Sequence, residues 1–353
     1  MSTLQIGLAV AGGLALVGVV AYNIWNTHRN APRQASPGRP KEPAMDAGEP
    51  SASVSDPQHS AVPNTDIPDL PLPTPPRRPA LDALIDVIAV LTLDPQAGPV
   101  PGEVAMAALP QSRRVGSKPF AVEGFNQRTQ QWENPTPGQR YSSFQAGVQL
   151  ANRSGALNDI EYSEFVVKAQ AFADALGATP EFPEMHEEVA RARELDHFAS
   201  AHDAQLRFTL RPCNASWSPG YVQQNAAPLG FVLGAVAGRM VLPAGQHGLP
   251  PVLVLGFDAQ AALAEDPSKS AIRAISLHLE VAQVERGEQA FLRLREVAFA
   301  LAQTMDGVVT DDNGQPLTAE SLDIIGKELE TLYNTLEQRD LAAGSAVARR
   351  LFS

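Results

Sequence analysis

The strongest constraint on this chain lies at its start. Leu4 to Trp25 reads LQIGLAVAGGLALVGVVAYNIW, 22 residues with no charged side chain and no proline. A helix of that length spans ~33 Å at ~1.5 Å per residue, and a bilayer's hydrocarbon core is ~30 Å thick. Lipid offers the backbone no hydrogen-bond partner, so one continuous helix is the expected state. Tyr22 and Trp25 fall at one end, where amphipathic rings favour the headgroup layer. Whatever folds in this chain is therefore expected to be tethered behind residues 4–25, with residues 1–3 on the far side.

No Lys or Arg precedes the apolar stretch, whereas His28, Arg29, Arg33, Arg39 and Lys41 follow it closely. The positive-inside bias places the long C-terminal part in the cytoplasm. The rival is a cleaved secretory signal with Val19-Val20-Ala21 at the cleavage site. That rival wants a basic N-terminal region and a shorter apolar core, and the chain has neither.

From Asn26 to about Ala80 the composition changes. This segment holds 13 of the chain's 30 prolines and few aromatic or β-branched residues, too little apolar area to offset chain entropy. It is expected to be a disordered linker with polyproline II character, reaching between ~40 Å as a coil and ~160 Å extended. Its six basic and six acidic residues cancel, so the net charge of −12 belongs to the part after Ala80. An acidic globular part repels nucleic acid and anionic headgroups, which makes a protein the expected partner. Cys213, the single cysteine, has no partner for an internal disulfide and suits a reducing compartment.

The remainder reads as two similar halves, 81–200 and 201–340, followed by a tail at 341–353. Each half opens with an alternating strand, Ile85–Leu93 and Gln205–Arg211. Each strand leads to a Pro-Gly-x-Val helix start, at Pro101 to Val104 and Pro219 to Val222; proline suits a first helical turn because its missing N–H costs nothing there. Strands are predicted at Pro119–Phe125 and Tyr141–Leu150, then at Phe231–Met240, Val252–Phe257 and Ala274–Val281. Each half closes with two amphipathic helices, marked by Phe165, Ala169, Phe172 and Leu176, then Met185, Val189, Ala192 and Leu195. In the second half the marks are Phe291, Leu294, Ala298, Leu301 and Met305, then Leu322, Ile325, Leu329, Leu332 and Leu336. The expected fold class is α+β: antiparallel sheets with helices packed on one face, in two tandem copies, the alternative being two unrelated α+β segments.

Two runs in the second half are distinctive: Gly230-Phe231-Val232-Leu233-Gly234, and Asp306-Gly307-Val308-Val309-Thr310-Asp311-Asp312 before Thr318, a plausible N-cap for the last helix. With the apolar start and the Pro-rich segment, Ala204 to about Leu336 resembles the C-terminal FtsZ-binding domain of the ZipA family of bacterial cell-division proteins. The resemblance covers the second half by motif and the first 80 residues by architecture; 81–200 is expected to be a diverged extra copy. It implies a split β-α-β sheet with one face under helices and one shallow face open to hold the C-terminal peptide of FtsZ, the tubulin-like filament protein. Matched strand by strand, Val236, Leu255, Phe257, Ser276 and His278 take groove-facing places. Ile275, Leu277, Leu279 and Val281 point to the core. Where His278 stands the family carries a bulky aromatic, so a less apolar groove is expected.

Chemistry is not anticipated. No Gly-rich phosphate loop, paired cysteines or nucleophile elbow occurs, and His197 and His202 do not share a helical face. Asp311-Asp312-Asn313-Gly314 reads as a tight turn, since its glycine comes too early for a calcium loop. The sheet lacks the stacking aromatics and basic residues of RNA-recognition domains. No cofactor, metal, nucleic acid or small-molecule substrate is expected. The resemblance implies a single-pass inner-membrane protein at the division site that anchors FtsZ filaments and helps hold them together. The alternatives are a membrane-anchored adaptor for another cytoplasmic protein, or a tethered hydrolase.

Overall fold

The computed structural model describes residues 32–35, 81–96 and 98–353. The apolar stretch 4–25 and most of the linker lie outside these residues. Among the described residues no helix is long and apolar enough to cross a membrane.

The first sheet is organised around β1 (Asp86–Leu93), whose Val87, Ala89, Leu91 and Leu93 turn inward while Ile88, Val90 and Thr92 face the other way. β2 (Val100–Pro101), α1 (Gly102–Ala108), β3 (Arg114–Val115), β4 (Lys118–Asn126), β5 (Trp132–Glu133) and β6 (Arg140–Gln149) follow, then the hairpin β7 (Ala151–Asn152) and β8 (Gly155–Ala156). α2 (Asp159–Leu176), β9 (Ala178–Glu181) and α3 (Met185–His202) complete the unit. Its strands are antiparallel in the order β3-β4-β6-β1-β9. α2 begins at Asn158, whose side chain accepts from Glu161 N while Glu161 reaches back to Asn158 N, a capping box. Its inner stripe meets the sheet through rings, with Phe120–Phe165 centroids at 6.2 Å and an edge-on Phe144–Phe172 pair at 5.5 Å.

The second unit runs β10 (Gln205–Pro212), α4 (Pro219–Ala226), β11 (Val232–Leu233), β12 (Arg239–Leu242), β13 (Leu253–Gly256), α5 (Ala259–Leu263) and β14 (Ile275–Glu280). It continues through α6 (Ala290–Met305), β15 (Gly307–Thr310) and α7 (Ala319–Glu337), which Thr318 caps by accepting from Ser321 N. Its sheet order is β11-β12-β13-β14-β10-β15, again antiparallel. Leu294, Ala298, Leu301 and Met305 of α6 share one core with Phe208, Leu210, Leu255, Leu277 and Leu279.

The central strands of the two sheets share one connectivity. The first strand of each lies between the long strand ahead of the long helix and the strand just after it: β6-β1-β9 and β14-β10-β15. Both long helices enter that following strand through a single left-handed residue, Gly177 (φ 65°, ψ 31°) in one and Asp306 (φ 53°, ψ 58°) in the other.

Two expectations need correction. Phe231–Met240 is not one strand, because the chain reverses between β11 and β12, with Gly234 N donating to Arg239 O and Gly238 at φ 74°. A Cβ on Gly238 would stand 2.5 Å from Phe257 O, so the turn requires glycine. Residues 341–353 are not a loose tail either. They form α8 (Ala346–Leu351) and bury Leu341, Ala348, Leu351 and Phe352. The apolar side chains at the chain's end supply the reason: they fill the seam where Ile85, Ala151 and Phe198 of the first unit join the second core.

Candidate peptide-binding face

β14 alternates cleanly. Ile275, Leu277 and Leu279 are buried, while Ser276 and His278 are half-buried and Glu280 is exposed on the opposite face. The register carries this face across neighbouring strands: Arg207 and Val254 flank His278, while Thr209 and Gly256 flank Ser276. Arg239 stands beside Gly256, and Val241 beside Val254. Of these, Arg239, Val254, Gly256 and His278 border an open groove of about 430 Å³, together with Pro250, Pro251 and Glu280.

His278 ties the middle of the groove together. Its Nε2 lies 2.8 Å from Ser276 Oγ, and Arg207 Nε donates to its Nδ1 at 3.3 Å. Because Nδ1 accepts, Nε2 carries the proton of a neutral ring. Burial pushes the imidazole pKa down, and the cationic Arg207 and Arg239 push it further; Asp312 and Glu280 act the other way. On a chain of net charge −12, this face exposes Arg207, Arg211 and Arg239.

Of the five residues expected in the groove, Ser276 and His278 lie on this open face. The other three do not. Leu255 is fully buried, paired with Leu277 and Met240 on the helix-covered side. Phe257 follows the end of β13, donates its N–H to Gly238 O at 2.8 Å and packs against the core. Val236 is 60% exposed at the tip of the β11–β12 reversal rather than on a strand. The parity of β13 is the source of the misplacement: Val252–Leu255 is apolar on both faces, so alternation cannot distinguish Val254 from Leu255. Arg207, by contrast, was legible, since buried Phe208 and Leu210 oblige Arg207 and Thr209 to turn outward.

The first unit treats the corresponding face differently. There Ile88 and Ala121 flank Gly147, as Arg207 and Val254 flank His278. Leu81 folds back over Gly147, so near that a Cβ on the glycine would lie 2.5 Å from Leu81 Cδ2. Leu81 N donates to Glu123 Oε1 at 3.3 Å, and Gln145 Nε2 donates to Glu123 Oε2 at 2.7 Å. The part of the face around Gly147 is thus covered by its own chain.

Among the described residues no group of three or more His, Cys, Asp or Glu side chains is placed to hold a metal ion. What the second unit offers is an antiparallel sheet with helices on one side and an open, shallow, cationic strand face on the other.

Residues 263–328 match the family model described as ZipA, C-terminal FtsZ-binding domain. The matched stretch contains β14, α6, β15 and the first half of α7, with His278 and the Gly307-Val308-Val309 run inside it. Gly307 is needed there because a Cβ would meet the Trp217 ring at 2.9 Å. No curated protein matches the chain. Among solved structures, one described as "Structure of FgChi7B" aligns at 11% identity, covering 74% of this chain and 55% of that one, with a TM-score of 0.21. The chain thus spans little more than half of that structure's length, and a TM-score so low bears on neither fold nor function.

Proposed function

We propose that this chain is a cell-division tether. Its second unit captures the C-terminal peptide of FtsZ on the Val254–His278 face, and residues 4–25 hold it in the inner membrane with the C-terminal units in the cytoplasm. The work is binding rather than catalysis: filaments are attached to the membrane and held together at the division site. The observation behind this is the match of residues 263–328 to the FtsZ-binding family, joined to an open strand face where apolar Val254 stands beside His278, with cationic Arg207 and Arg239 on the flanking strands. Apolar area supplies most of the affinity, at ~25 cal/mol per Å². The arginines select a segment that also carries acid.

The same arginines favour a second reading, an adaptor for a different acidic segment. One titration separates the two. The full chain in detergent is mixed with labelled FtsZ C-terminal peptide and, in parallel, with a scrambled peptide of equal charge. Saturable binding of the first alone is expected. Equal binding of both points to the adaptor, and binding of neither sinks the FtsZ reading. For topology, a reporter active only outside the cytoplasm is fused after Ser353, and strong signal from it would reverse the orientation.

The two units are further read as diverged copies, on their shared strand connectivity and Pro-Gly-x-Val starts. The first is not the peptide binder in this scheme, because Leu81 already lies on its open face.

A further inference from the structure

Pro32–Ala35 is the only part of the first 80 residues that the structure describes, and it lies against the second unit. Arg33 N donates to Ser216 O at 2.7 Å, and Ser218 N donates to Arg33 O at 2.9 Å, forming a parallel bridge to Trp217. On its other side Trp217 exchanges both backbone hydrogen bonds with Ile272, so Arg33 extends a ladder already begun. The guanidinium ends at the C-terminus of α6, where Nη2 meets Asp306 Oδ2 at 2.7 Å and Nη1 donates to Met305 O at 3.3 Å.

The chemistry of that helix end calls for a cation. Unpaired carbonyls make a helix C-terminus negative, and here a carboxylate, Asp306, sits on top of them in the left-handed cap. Asn214 Nδ2 and Trp217 Nε1 bond Asp306 and Met305, at 2.9 and 2.8 Å, but neither brings charge. Arg33 does. The first unit needs no such visitor, since its own loop covers the matching helix start: Gly102 N donates to Gln139 O, and Thr136 O stands 1.8 Å from where a Gly102 Cβ would be. The matching Gly220 instead faces Ala35, whose Cβ lies 3.6 Å from a Cβ built there.

We propose that Ser216–Tyr221 and the C-terminus of α6 form a second binding site on this unit, a clip for an extended arginine-bearing segment, filled in cis by Pro32–Ala35. Built on the membrane reading of residues 4–25, it has a consequence for reach. Only residues 26–32 then separate Trp25 from the clip, a span of at most about 29 Å at ~3.6 Å per step, against ~160 Å for the whole linker. The clip holds the second unit close to the membrane.

Limited trypsin digestion of the full chain in detergent tests the clip without reference to membrane or partner. Cleavage after Arg33 is timed against cleavage after Arg29 and Lys41, by mass spectrometry, in the wild type, in Asp306→Asn and in Arg33→Lys. Asparagine tolerates the left-handed cap, and residue 33 lies outside both cores, so neither variant needs to disturb folding. Loss of the half-exposed ion pair in Asp306→Asn, and of the second guanidinium bond to Met305 O in Arg33→Lys, raises cleavage after residue 33 by up to about fivefold, with the flanking bonds unchanged. No acceleration in either variant, or an equal acceleration at all three bonds, would overturn the clip.

Discussion

Asp86 and Arg350, 264 positions apart, form a bidentate ion pair with Nη2–Oδ1 at 2.6 Å and Nη1–Oδ2 at 2.8 Å. The aspartate opens β1 and is fully buried; the arginine belongs to α8 at the end of the chain and keeps 28% of its side chain exposed. Beside them Gln149 Nε2 donates to Arg350 O and to Ala151 O, at 2.8 and 2.7 Å. Arg153 of the first unit reaches Asp203 and Glu280 at 2.7 and 2.9 Å. The last helix therefore joins the two sheets, and polar bonds set its position.

Burial holds the Asp86 carboxyl above its ordinary range even with Arg350 beside it. A raised folded-state pKa means that protonation favours the fold: that stability is present below the unfolded value of ~3.9 and lost as pH rises through the folded one. Arg350→Ala leaves a buried carboxylate without its cation and should cost about 3 kcal/mol at pH 7. The deficit should shrink on acidification, as the carboxyl takes up a proton. Asp86→Asn should cost less, because the exposed part of Arg350 can be hydrated. Urea unfolding of both variants at pH 7.5 and 5 decides it, and an equal, pH-independent loss would refute it.

His278 is held neutral by burial and by two arginines. A depressed histidine pKa contributes stability that is present above the unfolded value of ~6.5 and lost as pH falls through the folded one. His278→Phe should therefore flatten the stability profile between roughly pH 7 and 5. A neutral ring makes an apolar contact, so the same change should tighten FtsZ-peptide binding and remove its pH dependence. Weaker binding, with loss of a gain at low pH, would mean instead that a charged His278 pairs with a carboxylate.

Val254 and Phe257 discriminate between the two faces of the sheet. Val254→Lys adds charge to the open groove and should weaken peptide binding by about 1–2 kcal/mol while leaving stability near wild type. Phe257→Ala removes a ring packed on the core side and should cost roughly 1–3 kcal/mol of stability with little change in affinity. Anisotropy titrations beside thermal melts read both. The opposite pattern would put the binding site on the other face.

Leu81, 7% exposed, and Gly147 are matched in size. Leu81→Ala should cost about 2 kcal/mol, and Gly147→Ala should destabilise by collision with Leu81 Cδ2. The double variant should lose less than the sum of the two, although Val87 O, 3.0 Å from the added Cβ, limits the rescue. Strict additivity in denaturant unfolding would show that Leu81 does not lie over Gly147.

The sequence alone determined most of the secondary elements, the β11–β12 reversal and α8 excepted, because these obey local rules. Period-two burial in β1, β10 and β14, the Asn158 and Thr318 caps, and the stripe of α6 can all be read from neighbouring residues. The outward turn of Ser276 and His278 follows from the same alternation. Only tertiary structure decided what local pattern leaves undetermined. Leu255 and Val254 are interchangeable to a hydropathy pattern, and pairing with Met240 and Leu277 alone sends Leu255 inward. Leu81 over Gly147, Arg33 at Asp306 and Arg350 at Asp86 join residues dozens to hundreds of positions apart, and no periodicity encodes such meetings. They arise because a helix end needs a cation, a buried carboxylate needs a partner, and a glycine leaves room for a leucine. Those needs become visible only once the chain has brought the two parties together.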